Sequence, residues 1–298
     1  MGSSASAESR LEAVPVRRHR GALALVARLA RSALLYGVLI AVSFIWVLPY
    51  VWMVRTSVSV GVNIFSTTLE LIPREFTLNN FSEVFRLVPL SRLGLNSVII
   101  SVGTTALVIG TSALAGYALS RPGLPLATSI MVFFLAALMV PGESLLIPTF
   151  LAVKYLGLLN SYLGVILPMA ADAFVIFIFE RFFSQLPPEV NDAAIVDGAS
   201  DFQIFSQIVV PMSTPVFAAL TTLVFIGAYD AFLWPLVVLN TREMMPLTLG
   251  LFYFETEQIR NYEYVITYSL LLTLPILAVF LTCQKFFIKG LQLGAVKG

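Results

Sequence analysis

Cysteine and histidine are almost missing from this sequence, which holds one of each, Cys283 and His19. A disulfide framework, a Cys/His zinc site and a Ser-His-Asp triad all need more of these residues, so three branches of chemistry fall away. Charge is scarce too. Asp, Glu, Lys and Arg make up 12% of the chain, against roughly 25% in a soluble domain. The formal net charge of +1 provides no basic field to attract nucleic acid. None of the four lysines (Lys154, Lys285, Lys289, Lys297) follows a glycine, so there is no Gly-Lys-Ser/Thr phosphate loop, and nucleotide-driven work must come from another polypeptide. No internal repeat is visible, which argues against the inverted-repeat secondary carriers.

What fills the chain is apolar: 58% of its 298 residues are hydrophobic, which places it in the all-α, polytopic membrane class. Six spans are expected, at about 33–53, 93–119, 126–150, 162–179, 215–239 and 264–283. The first is longer than the apolar part of a signal peptide and ends in Trp46, Pro49, Tyr50 and Trp52, the aromatic girdle of a retained span. Before it, 1–32 is a basic segment, readable as a disordered tail or as a short interfacial helix over Ala22–Ser32. The rest, 33–298, forms one transmembrane domain. The second span is rich in Gly, Ser, Thr and Ala, which let helices approach closely in lipid, and belongs inside the bundle. Pro141-Gly142-Glu143 and Pro148 interrupt the third. A short amphipathic helix is expected over Leu78–Phe85.

Both chain ends lie on one side of six spans. With the loops on that side they carry eleven Lys and Arg residues, against seven on the other side. The charges near the spans, led by Arg17, Arg18, Arg20, Arg28 and Arg31, place both termini in the cytoplasm.

Residues 186–211 then form a cytoplasmic loop that is polar amid apolar neighbours. Pro187 and Pro188 suit a helix start, Glu189 favours the positive end of the helix dipole, and Gly198 is placed to end the helix. Ser200 and Gln203 have capping-box spacing for a second short helix, which Pro211 should stop. Val190, Ala193, Ala194 and Asp197 share one face by i, i+3, i+4 spacing, a shallow surface suited to a groove on another protein. A solvated amphipathic loop has the same periodicity.

Asp192-Ala193-Ala194, then Gly198, Ile208 and Pro211, resembles the EAA loop of ABC importer permeases with its spacing intact. Phe76-Thr-Leu-Asn-Asn-Phe81, Leu156-Gly-Leu-Leu-Asn-Ser161, Phe232-Leu-Trp-Pro235 and the ending Gly294-Ala-Val-Lys-Gly298 are similar to the carbohydrate branch, in particular to the smaller maltose-type permease. Asp192 stands where that family usually has Glu, and Val210 where Leu is usual.

The resemblance implies a type I importer fold and a bacterial inner-membrane permease paired with a second permease. It implies an extracytoplasmic solute-binding protein that delivers a sugar or oligosaccharide. Two ATPase subunits would bind ATP and Mg, this chain holding no cofactor, and would act on the loop through Glu189, Asp192, Ala193, Ala194, Asp197, Gly198 and Pro211. The loop at 240–262 would reach toward the binding protein, and the tail 285–298 toward the ATPases.

Ionisable residues inside spans are costly and point to function. Asp230, with Tyr229 beside it and Trp234 one turn on, offers a carboxylate and an aromatic plane, the two things a sugar needs. Glu143 at the Pro-Gly break and Asp172 among small residues are further pathway candidates; Asp172 equally suits an interhelical hydrogen bond. The same carboxylates could serve an ion-coupled secondary carrier or channel, or, with Asp172 and Asp230, an aspartyl-type intramembrane enzyme.

Overall fold

The computed structural model describes residues 18–61, 72–256 and 261–295. Contacts divide the chain after Val54, inside the first helix and not at residue 32. In the first unit, α1 (Arg18–Ser57) runs unbroken for 40 residues, about 60 Å of helix. Residues 22–32 therefore belong to it and form no separate interfacial helix, while residues 1–17 lie outside the described residues.

In the second unit, α2 (Asn79–Leu87) matches the expected amphipathic turn and is tied back by Asn80, whose Nδ2 donates to the carbonyls of Ser57 and Ser59. Helix α3 (Leu90–Ser120) is the inner helix that its small residues imply: Ser97, Ser101, Thr104, Thr105, Ser112 and Gly116 are all buried. Hydroxyls that face lipid or protein need partners, and Ser101 and Thr105 find them in carbonyls one turn back.

Helix α4 (Ala127–Ala137) and the stretch 142–155, which contains α5 (Leu146–Tyr155), meet at 93°. The break falls just before Gly142, as expected. Pro148 makes no break, because it lies in the first turn of α5, where its missing N–H has no partner to lose. The fourth span divides into α6 (Tyr162–Ile166), a 3₁₀ turn at Leu167–Met169, and α7 (Ala173–Phe183), bent by 48°.

The loop that follows contains α8 (Pro188–Val196), α9 (Asp201–Ile204), a π turn over Phe205–Val209, and α10 (Val210–Met212). Pro211 does not stop the second helix. The widened π turn accommodates its ring, and the chain bends by 82° two residues later, at Ser213, into α11 (Thr214–Asp230).

The fifth span ends at Asp230, not at 239. Ala231 is extended, and α12 (Leu233–Val238) starts afresh. Pro235 explains this, since a proline ring clashes with a helical carbonyl four residues back, here Ala231. That carbonyl turns aside and accepts the Thr248 hydroxyl at 2.9 Å. A 3₁₀ turn at Leu247–Leu251 folds back into the bundle and leads to α13 (Phe252–Thr256): Leu247, Thr248, Leu249 and Gly250 are buried, while residues 240–243 are exposed. Buried Asn96 holds this turn, donating at 2.8 Å to the carbonyls of both Glu243 and Met245 and accepting the Tyr162 hydroxyl at 2.8 Å. The last helix, α14 (Tyr262–Ala295), contains Pro275.

By length and composition, α1, α3 and α14 can each cross a bilayer, and up to six spans result if each bent pair is counted as one. Helix α3 packs against α7 and α11, and α11 against α14. Among the described residues, one core cluster (Val108, Phe179, Phe183, Ala194, Ile204, Leu220) joins α3, α7 and α11 to the 186–211 loop.

Candidate functional site

The geometry of α8 follows from its ends. Pro188 opens it, Glu189 sits in its first turn, and Gly198 closes it at φ +80°, a conformation that only glycine adopts freely. The N–H of Gly198 donates to Ile195 and that of Ala199 to Ala194, both at 3.0 Å, completing a Schellman ending. The expected capping box is present: Gln203 N–H donates to Ser200 Oγ, and Ser200 N–H donates to Gln203 Oε1 at 2.8 Å. Two short helices thus meet at a fixed left-handed corner.

The exposed face differs from the one periodicity gave. Ala194 is buried in the core cluster and Val190 is half-buried, so that side of α8 faces the chain's own bundle. Glu189, Asp192, Ala193 and Val196 form the outward stripe, each one residue before its expected counterpart, a turn of about 100° around the helix. Val196 is 87% exposed, Ile195 57% and, on α9, Phe202 69%. These three apolar residues were missed by sequence reasoning because the stretch reads as polar. The adjacent pair Ile195-Val196, outside any span, was the signal that could have marked them.

The intramembrane candidates are not brought together. Glu143 is exposed in the 3₁₀ turn Gly142–Leu145. Asp172 bonds within its own helix and not across to another. It caps α7, its Oδ1 accepting the N–H groups of Phe174 at 2.8 Å and Val175 at 3.0 Å. It also lines a cavity of about 380 Å³ with Thr104, Val108, Met169, Phe174 and Gly227, where α3, α7 and α11 meet. Neither Glu143 nor Asp230 lines it. Asp230 is exposed, but Tyr229 is only 3% exposed and stacks on Phe225 in the core. Successive helical residues point about 100° apart, so the carboxylate and its neighbouring ring face different surroundings. Trp234 is half-buried, its indole N–H donating to the Val165 carbonyl at 3.2 Å. The aromatic plane expected beside Asp230 is therefore spent on packing. Thr104 and Gly227, missed in the sequence, have no signal there beyond small size.

A loop of two capped helices, rooted in the core shared by α3, α7 and α11 and presenting an acidic and apolar stripe, invites comparison with known transporters. Residues 108–290 match the family described as binding-protein-dependent transport system inner membrane component. The chain belongs to this family. It is an integral membrane protein with the type I importer permease fold. Among similar proteins, the lactose transport system permease protein LacG of Rhizobium radiobacter is 35% identical, the match covering 88% of this chain and 95% of that one. The arabinooligosaccharides transport system permease protein AraQ of Bacillus subtilis is 34% identical over 77% of this chain and 82% of its own. The sn-glycerol-3-phosphate transport system permease protein UgpE of Rhizobium meliloti is 32% identical over 87% and 93%. In fold, the chain is similar to a chain in the crystal structure of a bacterial ABC transporter involved in the import of the acidic polysaccharide alginate. The TM-score is 0.74 and the identity 21%, covering 92% of this chain and all of that one. Within its 186–211 segment, Ala194, Ile204 and Val209 root the two helices in the core.

Proposed function

We propose that this permease is one transmembrane half of an ATP-driven, binding-protein-dependent importer for a sugar or oligosaccharide. It pairs with a second permease in the bacterial inner membrane, both its termini in the cytoplasm. Two ATPase subunits carry ATP and Mg and move it through residues 186–211; the chain itself performs no chemistry. The observation that carries this reading is the outward stripe of α8, because Glu189, Asp192, Ala193 and Val196 stand exposed on a helix whose opposite side is locked into the bundle. A rigid, acidic-edged knob of this kind suits a groove with a basic rim. The names of LacG and AraQ support the sugar class, while that of UgpE points to glycerol phosphate.

The cavity beside Asp172 is a candidate for the substrate path, its carboxylate accepting hydroxyls. Asp230 and Glu143 are exposed carboxylates that the path could reach once the second permease is in place. Asp172→Asn keeps the cap and removes the charge, whereas Asp172→Ala loses the cap at about 1 kcal/mol. Uptake that falls several-fold in the Asn variant, with an unchanged melting temperature, ties the charge to the path. Unchanged uptake in Asp172→Asn reduces Asp172 to a cap.

Affinity purification of the tagged chain from its native membrane tests the whole assembly. A second permease, two copies of an ATPase subunit, and ATP hydrolysis stimulated by a loaded binding protein are expected. Proton-driven, ATP-independent uptake by vesicles containing this chain alone would refute the proposal in favour of a secondary carrier.

A further inference from the structure

At the end that bears the loop, α3 finishes against α9. Arg121 caps α3, and its Nη2 donates to Asp201 Oδ1 at 2.6 Å. The same guanidinium lies 4.7 Å from the centre of the Tyr117 ring. Tyr117 completes the triangle, its hydroxyl donating to the Asp201 backbone carbonyl at 3.4 Å. The ring packs against Phe205 at 5.1 Å and edge-on to Phe183 at 6.4 Å. An exposed ion pair alone adds little stability. Here the cation is sheltered, its side chain 19% exposed, and is both stacked and hydrogen-bonded. Its planar fork therefore fixes a geometry, which a lysine would not.

Asp201 is the first residue of α9, directly after the Ser200 cap, and α8 buries Ala194 in the cluster that holds Tyr117, Phe183 and Ile204. To slide past α3, the loop must break the ion pair, the tyrosine hydrogen bond and the ring packing together. Two places could otherwise absorb a push on α8: the corner at Gly198 and the 82° bend at Ser213.

We propose that Arg121, with Tyr117 and Asp201, is a positioning clamp that makes α8, α9 and the end of α3 one rigid body. A displacement of the loop is thereby delivered to α3, whose Val108 and Thr104 line the cavity about 14 Å and about 20 Å along the helix from Tyr117. The proposal rests on the reading that ATPase subunits drive this loop.

Spin labels at Ala118→Cys on α3 and Ile195→Cys on α8, both exposed positions outside the outward stripe, in a Cys283→Ser background, test it in the full complex with ATP and vanadate as the probe. The wild-type distance should stay narrow and unmoved between the nucleotide-free and trapped states. In Arg121→Gln it should broaden, and shift on trapping, while the ATPase subunits remain bound. The charge-exchanged pair Arg121→Asp with Asp201→Arg should narrow it again. A wild-type distance that shifts on trapping overturns the clamp, as does an Arg121→Gln distribution as narrow as wild type or a charge exchange that restores nothing. If no ATPase binds and no variant can be trapped, the coupling reading fails instead, and the nucleotide-free widths still decide whether Arg121 positions the loop.

Discussion

Asp192→Arg stops uptake while leaving the permease folded in its membrane. Asp192 is exposed on α8, takes no part in the Schellman ending or the capping box, and lies on another helix from the Arg121–Asp201 pair. Reversing its charge should therefore change the melting temperature little, as exposed substitutions do. Its effect falls on the partner. If a basic residue meets this edge, the variant removes a charge-assisted bond and replaces it with like-charge repulsion. Loss of one partner of a buried charge pair costs roughly 2–5 kcal/mol, so uptake should fall by at least about 30-fold. The measurement is uptake of the sugar bound by the co-purified binding protein, with ATP hydrolysis read in parallel. Asp192→Glu, which restores the family's usual residue, should retain uptake, and Asp192→Ala should fall between. Normal uptake in Asp192→Arg would mean that this edge of α8 meets no partner charge.

Gly116→Leu is the second large effect, and it acts through the fold. A Cβ at Gly116 would lie 2.7 Å from the Phe179 Cβ, 3.0 Å from the Glu180 nitrogen and 3.1 Å from the Ile176 oxygen. Two of these atoms are backbone, so no rotamer change relieves the clash, and α3 and α7 must move apart. Overpacking of this kind costs typically about 1–3 kcal/mol. Gly116→Ala regains up to about 1 kcal/mol of helix propensity and should be milder. Gly110→Ala, on the same helix with nothing within 4 Å of its new Cβ, should be neutral or slightly stabilising. Because α7 leads directly into the loop, Gly116→Leu should reduce both the yield of monodisperse protein and its uptake. A melting temperature equal to that of Gly110→Ala would show that the α3–α7 contact is looser than the geometry implies.

Much of this molecule was legible in the residue order because lipid imposes strict rules. Spans one, two and six stand out as long apolar runs, and α1, α3 and α14 contain them. The small residues of α3 correctly placed it inside the bundle. The break in the fifth span was also written in the sequence, since Pro235 forbids a helical carbonyl at Ala231, yet the apolar residues on both sides of Asp230 masked it. Proline position alone misled at Pro148 and Pro211, because its consequence depends on whether the ring falls in a first turn or behind a widened one. The site at Asp230, Tyr229 and Trp234 failed for a different reason: adjacency along a helix is not adjacency in space, and both aromatic rings were claimed by the core.

The residue order alone established a membrane protein with no Gly-Lys-Ser/Thr phosphate loop. It also determined that residues 186–211 form two capped helices around Gly198, because caps, glycine corners and charge are local or near-local matters. Which side of α8 looks outward was settled by packing against the bundle. In nine residues with Val190, Ala193, Ala194, Ile195 and Val196, apolar groups surround most of the helix, so periodicity has no preferred phase. The choice fell to the core of α3, α7 and α11, which has room for the methyl group of Ala194 and thereby turns Asp192 and Val196 toward whatever the loop meets.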